Sequence, residues 1–117
     1  MADFGEFLSR LGNLHDCTIT VFEWKPDRKR IAFEIDDLYF NFHGLPEYKG
    51  PVPGRIVFER IERVVIEMHD VDGPLRISDF CVVGQSPEAA TVAVTFWPSG
   101  KVTMIYGAVT FPDVHLP

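Results

Sequence analysis

Cys17-Thr18-Ile19-Thr20-Val21-Phe22-Glu23-Trp24-Lys25-Pro26-Asp27-Arg28-Lys29-Arg30-Ile31-Ala32-Phe33-Glu34-Ile35-Asp36 is the stretch that decides the fold. Cys17, Ile19 and Val21 alternate with Thr18, Thr20 and Phe22, and the segment runs on to Trp24. The alternation resumes as Ile31, Phe33 and Ile35 against Ala32, Glu34 and Asp36. A period of two is that of a β-strand with one buried face. Between the two runs, Pro26 fixes φ and Asp27 can bond to nearby backbone, so Lys25–Arg28 reads as a turn. The unit is a β-hairpin. Its alternation assigns Cys17, Ile19 and Val21 to the core face and Phe22 and Trp24 to the opposite one.

Upstream the period changes. Phe4, Phe7, Leu8 and Leu11 recur at the spacing of one helical face, with Asp3 as cap and Gly12-Asn13 as stop. A helix this short is marginal alone and must dock on the sheet. Downstream, Leu38, Phe40 and Phe42 continue the apolar positions out of phase with Ile35, so a bulge or sharp bend is expected at Asp36-Asp37. The run from Gly44 to Gly54 holds three Pro and three Gly in eleven residues, which makes it a long loop.

Arg55–Met68 admits two readings. Val57, Ile61, Val64, Val65 and Met68 make a helical stripe, whereas Ile56 and Phe58, then Val64, Ile66 and Met68, suit two strands with a bulge between them. The β-branched content favours strands. His69–Pro74 has turn composition, and Leu75–Val83 is a further strand. Ala90, Val92, Val94 and Phe96 alternate with Thr91, Ala93, Thr95 and Trp97, and Pro98-Ser99-Gly100 turns the chain into Val102, Met104 and Tyr106. Pro112–Pro117 is expected to be loose. The whole is one domain, residues 1–117, mainly β: an antiparallel sheet of six to eight strands, sandwich or partial barrel, with a short N-terminal helix.

Composition narrows the function classes. The 117 residues are 46% hydrophobic and 24% charged, with ten Phe, two Trp and three Tyr, enough for a core without disulfide or metal support. Seventeen acidic against eleven basic side chains give a formal charge of −6, which disfavours nucleic acid and suits a basic partner. Lys25, Arg28, Lys29 and Arg30 form a local basic knob that Glu23, Asp27 and Glu34 dilute. Met1–Glu6 has neither the basic nor the apolar region of a signal peptide, and no run is long enough to span a bilayer. A cytoplasmic location follows, with Cys17 and Cys81 reduced and no membrane partner.

Chemistry-bearing motifs are sparse. His15-Asp16 and His69-Asp70 each place an imidazole beside a carboxylate, the minimum for general acid–base work. They are the alternative catalytic residues of a small hydrolase or metal-dependent enzyme, although turn capping accounts better for both Asp. His15 and Cys17, two apart on a strand, would share a face as zinc ligands do, but no second ligand pair is present, so no metal or cofactor is expected. Cys17 alternates with Ile19 and Val21 and reads as core. The aromatic residues Phe22, Trp24 and Trp97 lie opposite the expected core face and need a cover: the helix, a dimer partner or a ligand. With Tyr48 in the Pro/Gly-rich loop, they are the expected binding residues.

Leu14-His15-Asp16-Cys17 after a helix, followed by a strand, a charged turn and a strand ending in Asp36-Asp37, resembles a diffuse class of small bacterial β-domains. Arg55-Ile56-Val57-Phe58 through Val64 matches their later β segment. Some members resemble immunity proteins, and that resemblance implies binding and blocking of a toxin without catalysis. The expected function is thus a noncatalytic interaction module, with a protein partner or a second copy of the chain.

Overall fold

The structure is a computed structural model that describes residues 3–68 and 73–113. Helix α1 (Phe4–Arg10) begins where Asp3 Oδ1 accepts the Glu6 N–H at 2.7 Å, and Glu6 pairs with Arg10 one turn on at 2.9 Å. Its exit is left-handed backbone at Gly12, Asn13 and Leu14. Gly12 is required there twice over: its φ is +66°, and a Cβ would stand 3.0 Å from the Asn41 side chain.

Among the described residues the strands are β1 (Thr18–Lys25), β2 (Arg30–Ile35), β3 (Gly54–Glu59), β4 (Arg63–Glu67), β5 (Leu75–Gln85), β6 (Ala90–Trp97), β7 (Lys101–Tyr106) and β8 (Ala108–Thr110). All pairings are antiparallel, in the order β4-β7-β6-β5-β1-β2-β3-β8. The β1–β2 and β6–β7 hairpins form as the alternation predicts. Arg55–Met68 forms two strands rather than a helix, with the break at Arg60–Glu62.

The two ends of that strand order are joined by the chain itself. Three residues separate β3 from β4, and Gly107 alone separates β7 from β8. The β3–β8 ladder, with Glu59 opposite Ala108, passes directly into the β4–β7 ladder, with Arg63 opposite Ile105. At the junction the Gly107 N–H donates to the Glu59 and Arg60 carbonyls, both at 3.1 Å, and the Glu62 N–H to Ile105 at 2.8 Å. The two paired strands thus bend together, at Arg60 on one and Gly107 on the other. The opposite flank is joined by the short β1–β5 pairing of Thr18 with Arg76 and Ile19 with Leu75. The inner surface is an aromatic core in which Phe4 of α1 meets Phe58 and Phe80 edge-on at 5.5 and 5.6 Å.

Three features depart from the sequence expectation. Register in β1 shifts between Ile19 and Val21, leaving Thr20 as an extra residue whose hydroxyl donates to the Glu34 carbonyl at 3.2 Å. One extra residue inverts every later side chain. Val21 is therefore exposed, whereas Phe22 stands opposite Phe33 and Trp24 opposite Ile31, both packed against the core. Second, β2 stops at Ile35, and Phe40–Phe42 form a 3-10 turn. Third, β8 has no counterpart in the sequence reading. The expected turn at residues 69–72 and most of the expected loose tail, residues 114–117, lie outside the described residues.

Candidate functional site

The segment between β2 and β3 is organised by Asp37, which is only 4% exposed. Its Oδ1 accepts the N–H groups of Tyr39 at 3.0 Å and Val52 at 3.1 Å, and its Oδ2 accepts the Tyr48 hydroxyl at 2.5 Å. A buried carboxylate must be hydrogen-bonded, and this one ties three points of one loop. The sequence makes Val52 the donor of its triplet, since Pro51 and Pro53 on either side have no N–H. The Leu38 N–H adds a bond to the Val52 carbonyl at 2.8 Å, which draws the two ends of the loop together. Between them the chain winds through successive turns, with Phe42 N–H to Tyr39, Leu45 N–H to Phe42 and Tyr48 N–H to Leu45. The ring of His43 lies 5.1 Å from that of Tyr48.

This loop encloses a cleft of about 320 Å³ walled by Tyr39, Phe42, Tyr48, Gly50, Pro51 and Val52, with Glu47 and Lys49 adding one charge of each sign. The loop also carries the exposed apolar side chains of Phe40 and Leu45. The bond to Asp37, then desolvation and the negative charge of Asp37 and Asp36, pushes the Tyr48 hydroxyl up to about 12. At neutral pH it is a fixed donor.

The structure brings Tyr48 to Asp37 and His43 and leaves the other expected binding residues elsewhere. Phe22 and Trp24 belong to the edge of the core, which corrects their assignment to the opposite face. Trp97 is 63% exposed at the end of β6, opposite Arg76. His15 and Asp16 lie 3.5 Å apart on an exposed turn, and the His15 Nδ1–H donates to the Ser78 carbonyl at 2.7 Å. His69 and Asp70 lie outside the described residues. His15 and Cys17 do not share a face as the zinc pattern would need: His15 is exposed, Cys17 is buried, and a left-handed Asp16 separates them. The Cys17 thiol donates to the Asp37 carbonyl at 3.2 Å, and burial, then Asp36, Asp37 and Asp16, push it up to about 12. It is a core thiol, not a poised nucleophile.

Tyr39, Phe42 and Asp37 were not identified from the sequence as site residues. The available signal was the aromatic run Tyr39-Phe40-Phe42 directly before a Pro/Gly-rich loop.

No family model matches the chain, and no curated protein matches it. Its fold is similar to the crystal structure of an uncharacterized protein from Neisseria gonorrhoeae, with a TM-score of 0.59 at 9% identity over 86% of this chain and 93% of that one. At that identity the likeness concerns the fold alone. Among the described residues, no helix is long and apolar enough to cross a membrane.

Proposed function

We propose that this chain is a noncatalytic protein-binding module whose Asp37-pinned loop receives an apolar side chain of a partner protein. The observation that carries this reading is the preformed cleft of Tyr39, Phe42, Tyr48 and Val52, held by the buried carboxylate of Asp37. Interfaces draw most of their affinity from a few anchors seated in recesses that need no rearrangement. Aromatic walls with few charges suit such an anchor. The surplus of acidic over basic side chains favours a partner with a basic rim. An immunity-like role, in which the partner is a toxin blocked by binding, falls within this class. The alternative of a small hydrolase built on His15 and Asp16 gains no support from an imidazole already engaged by the Ser78 carbonyl.

Binding of the purified products of the adjacent genes is the test, by calorimetry with wild-type protein and with Phe42→Ala. The reading expects one product to bind and the substitution to weaken it at least about tenfold, the effect of losing one anchor contact. Absence of binding by every adjacent product, or binding indifferent to Phe42, contradicts it.

A further inference from the structure

Strand β4 is an open edge. It pairs with β7 and, among the described residues, with no other strand. The direction of its free backbone groups follows from the neighbouring hairpin. The Phe96 N–H donates to the Gly100 carbonyl at 2.9 Å. Antiparallel pairing alternates residue by residue, so Val102, Met104 and Tyr106 point their backbone groups at β6, and Lys101, Thr103 and Ile105 point theirs at β4. The partners of those three, Glu67, Val65 and Arg63, are thereby bonded inward. Val64 and Ile66 present their N–H and C=O groups outward.

The side chains of the same strand are arranged to suit a copy of itself. Val65 is 39% and Ile66 40% exposed, although Ile66 stands opposite buried Val102. Apolar, open edges of this kind are rare because they template pairing. Arg63 and Glu67 bracket the strand with opposite charges, and neither forms an ion pair among the described residues.

We infer that two copies of this chain pair antiparallel through β4 about a two-fold axis at Val65. Val64 then exchanges both backbone hydrogen bonds with Ile66 of the other copy, twice over. Val65 meets its own counterpart in the close, non-hydrogen-bonded position. Arg63 falls opposite Glu67 of the other copy at both ends, the favourable cross-strand arrangement for charged side chains. A parallel alignment would set like charges together instead. Because the same edge is used by both copies, the assembly closes at two chains. The row Cys81, Ala93, Thr103 and Val65 across the outer face continues into the second copy. This inference rests on the sheet edge and is independent of the loop cleft.

Sedimentation of the full chain from about 10 μM to 1 mM, the range of weak interfaces, is the test. The expected wild-type mass rises to twice 13.3 kDa. The Val64 and Ile66 amides should exchange more slowly as it does so. Arg63→Glu sets carboxylates against each other at both ends and should weaken association at least about tenfold. Adding Glu67→Arg should restore it. Val65→Lys, at an outward position, should abolish it without unfolding the chain, as circular dichroism would show. A wild-type monomer throughout, a dimer indifferent to Arg63→Glu and Val65→Lys, or failure of the charge swap to restore association would each overturn the inference.

Discussion

Replacing Asp37 by Ala and by Asn separates a structural latch from an incidental carboxylate. In Asp37→Ala the N–H groups of Tyr39 and Val52 lose their common acceptor, Oδ1. Each such bond contributes about 1–1.5 kcal/mol, and the Tyr48 hydroxyl can turn to water, so the expected loss is about 2–3 kcal/mol. Asp37→Asn keeps an amide oxygen where Oδ1 stands and changes the other contact alone, so its expected loss is about 1 kcal/mol. For a urea slope of roughly 1.5 kcal/mol per molar, the midpoint should fall by about 1.3–2 M in the first variant and by under about 1 M in the second. Hydrogen exchange supplies the local readout: the Tyr39 and Val52 amides should lose protection in Asp37→Ala and keep it in Asp37→Asn. Equal damage by the two substitutions, or an Ala variant within about 0.5 kcal/mol of wild type, would refute the latch.

The remaining predictions concern titration and packing. Tyr48 is raised from 10 to about 12, so its contribution to stability is complete below pH 10 and lost as pH climbs through 12. Phenolate absorbance should show two late-titrating tyrosines, Tyr48 and Tyr106, whose hydroxyl burial also raises, and in Asp37→Asn Tyr48 alone should move towards 10. Cys17, raised from 9.0 to about 12, follows the same sign: its contribution is complete below pH 9 and disappears as pH passes 12. Iodoacetamide at pH 8 should therefore spare Cys17 until the chain unfolds, as peptide mapping would show. Gly54→Ala places a Cβ 2.5 Å from Leu38 Cδ1 and should cost about 1–3 kcal/mol by urea denaturation. Phe58→Ala removes a fully buried ring packed on Phe4, Phe33 and Tyr106 and should cost about 3–5 kcal/mol by the same measurement.

The strands and the helix were legible because their patterning is local. Phe4, Phe7, Leu8 and Leu11 show one helical face, and Ala90 to Phe96 show one sheet face, without reference to anything distant. The phase of β1 was hidden because Thr20 bulges against Glu34, and a bulge needs the partner strand to define it. Val21 and Phe22 therefore exchanged places. β8 was hidden for a similar reason, since three residues carry no periodicity and their pairing with β3 is set by the bend at Gly107. Of the cleft, Tyr48 and its loop were visible in composition. Asp37 was seen as a bend alone, because its three hydrogen bonds join positions up to fifteen residues apart. Polar latches of that kind are properties of closed loops.

The cleft between β2 and β3 is where a partner is expected to bind. Hydrogen exchange of the chain, alone and with an adjacent-gene product that binds it, measures this directly. The predicted result is new protection concentrated between Leu38 and Pro53, with the β1–β2 turn unchanged. Protection confined to other segments, or no binding product among the adjacent genes, would contradict it.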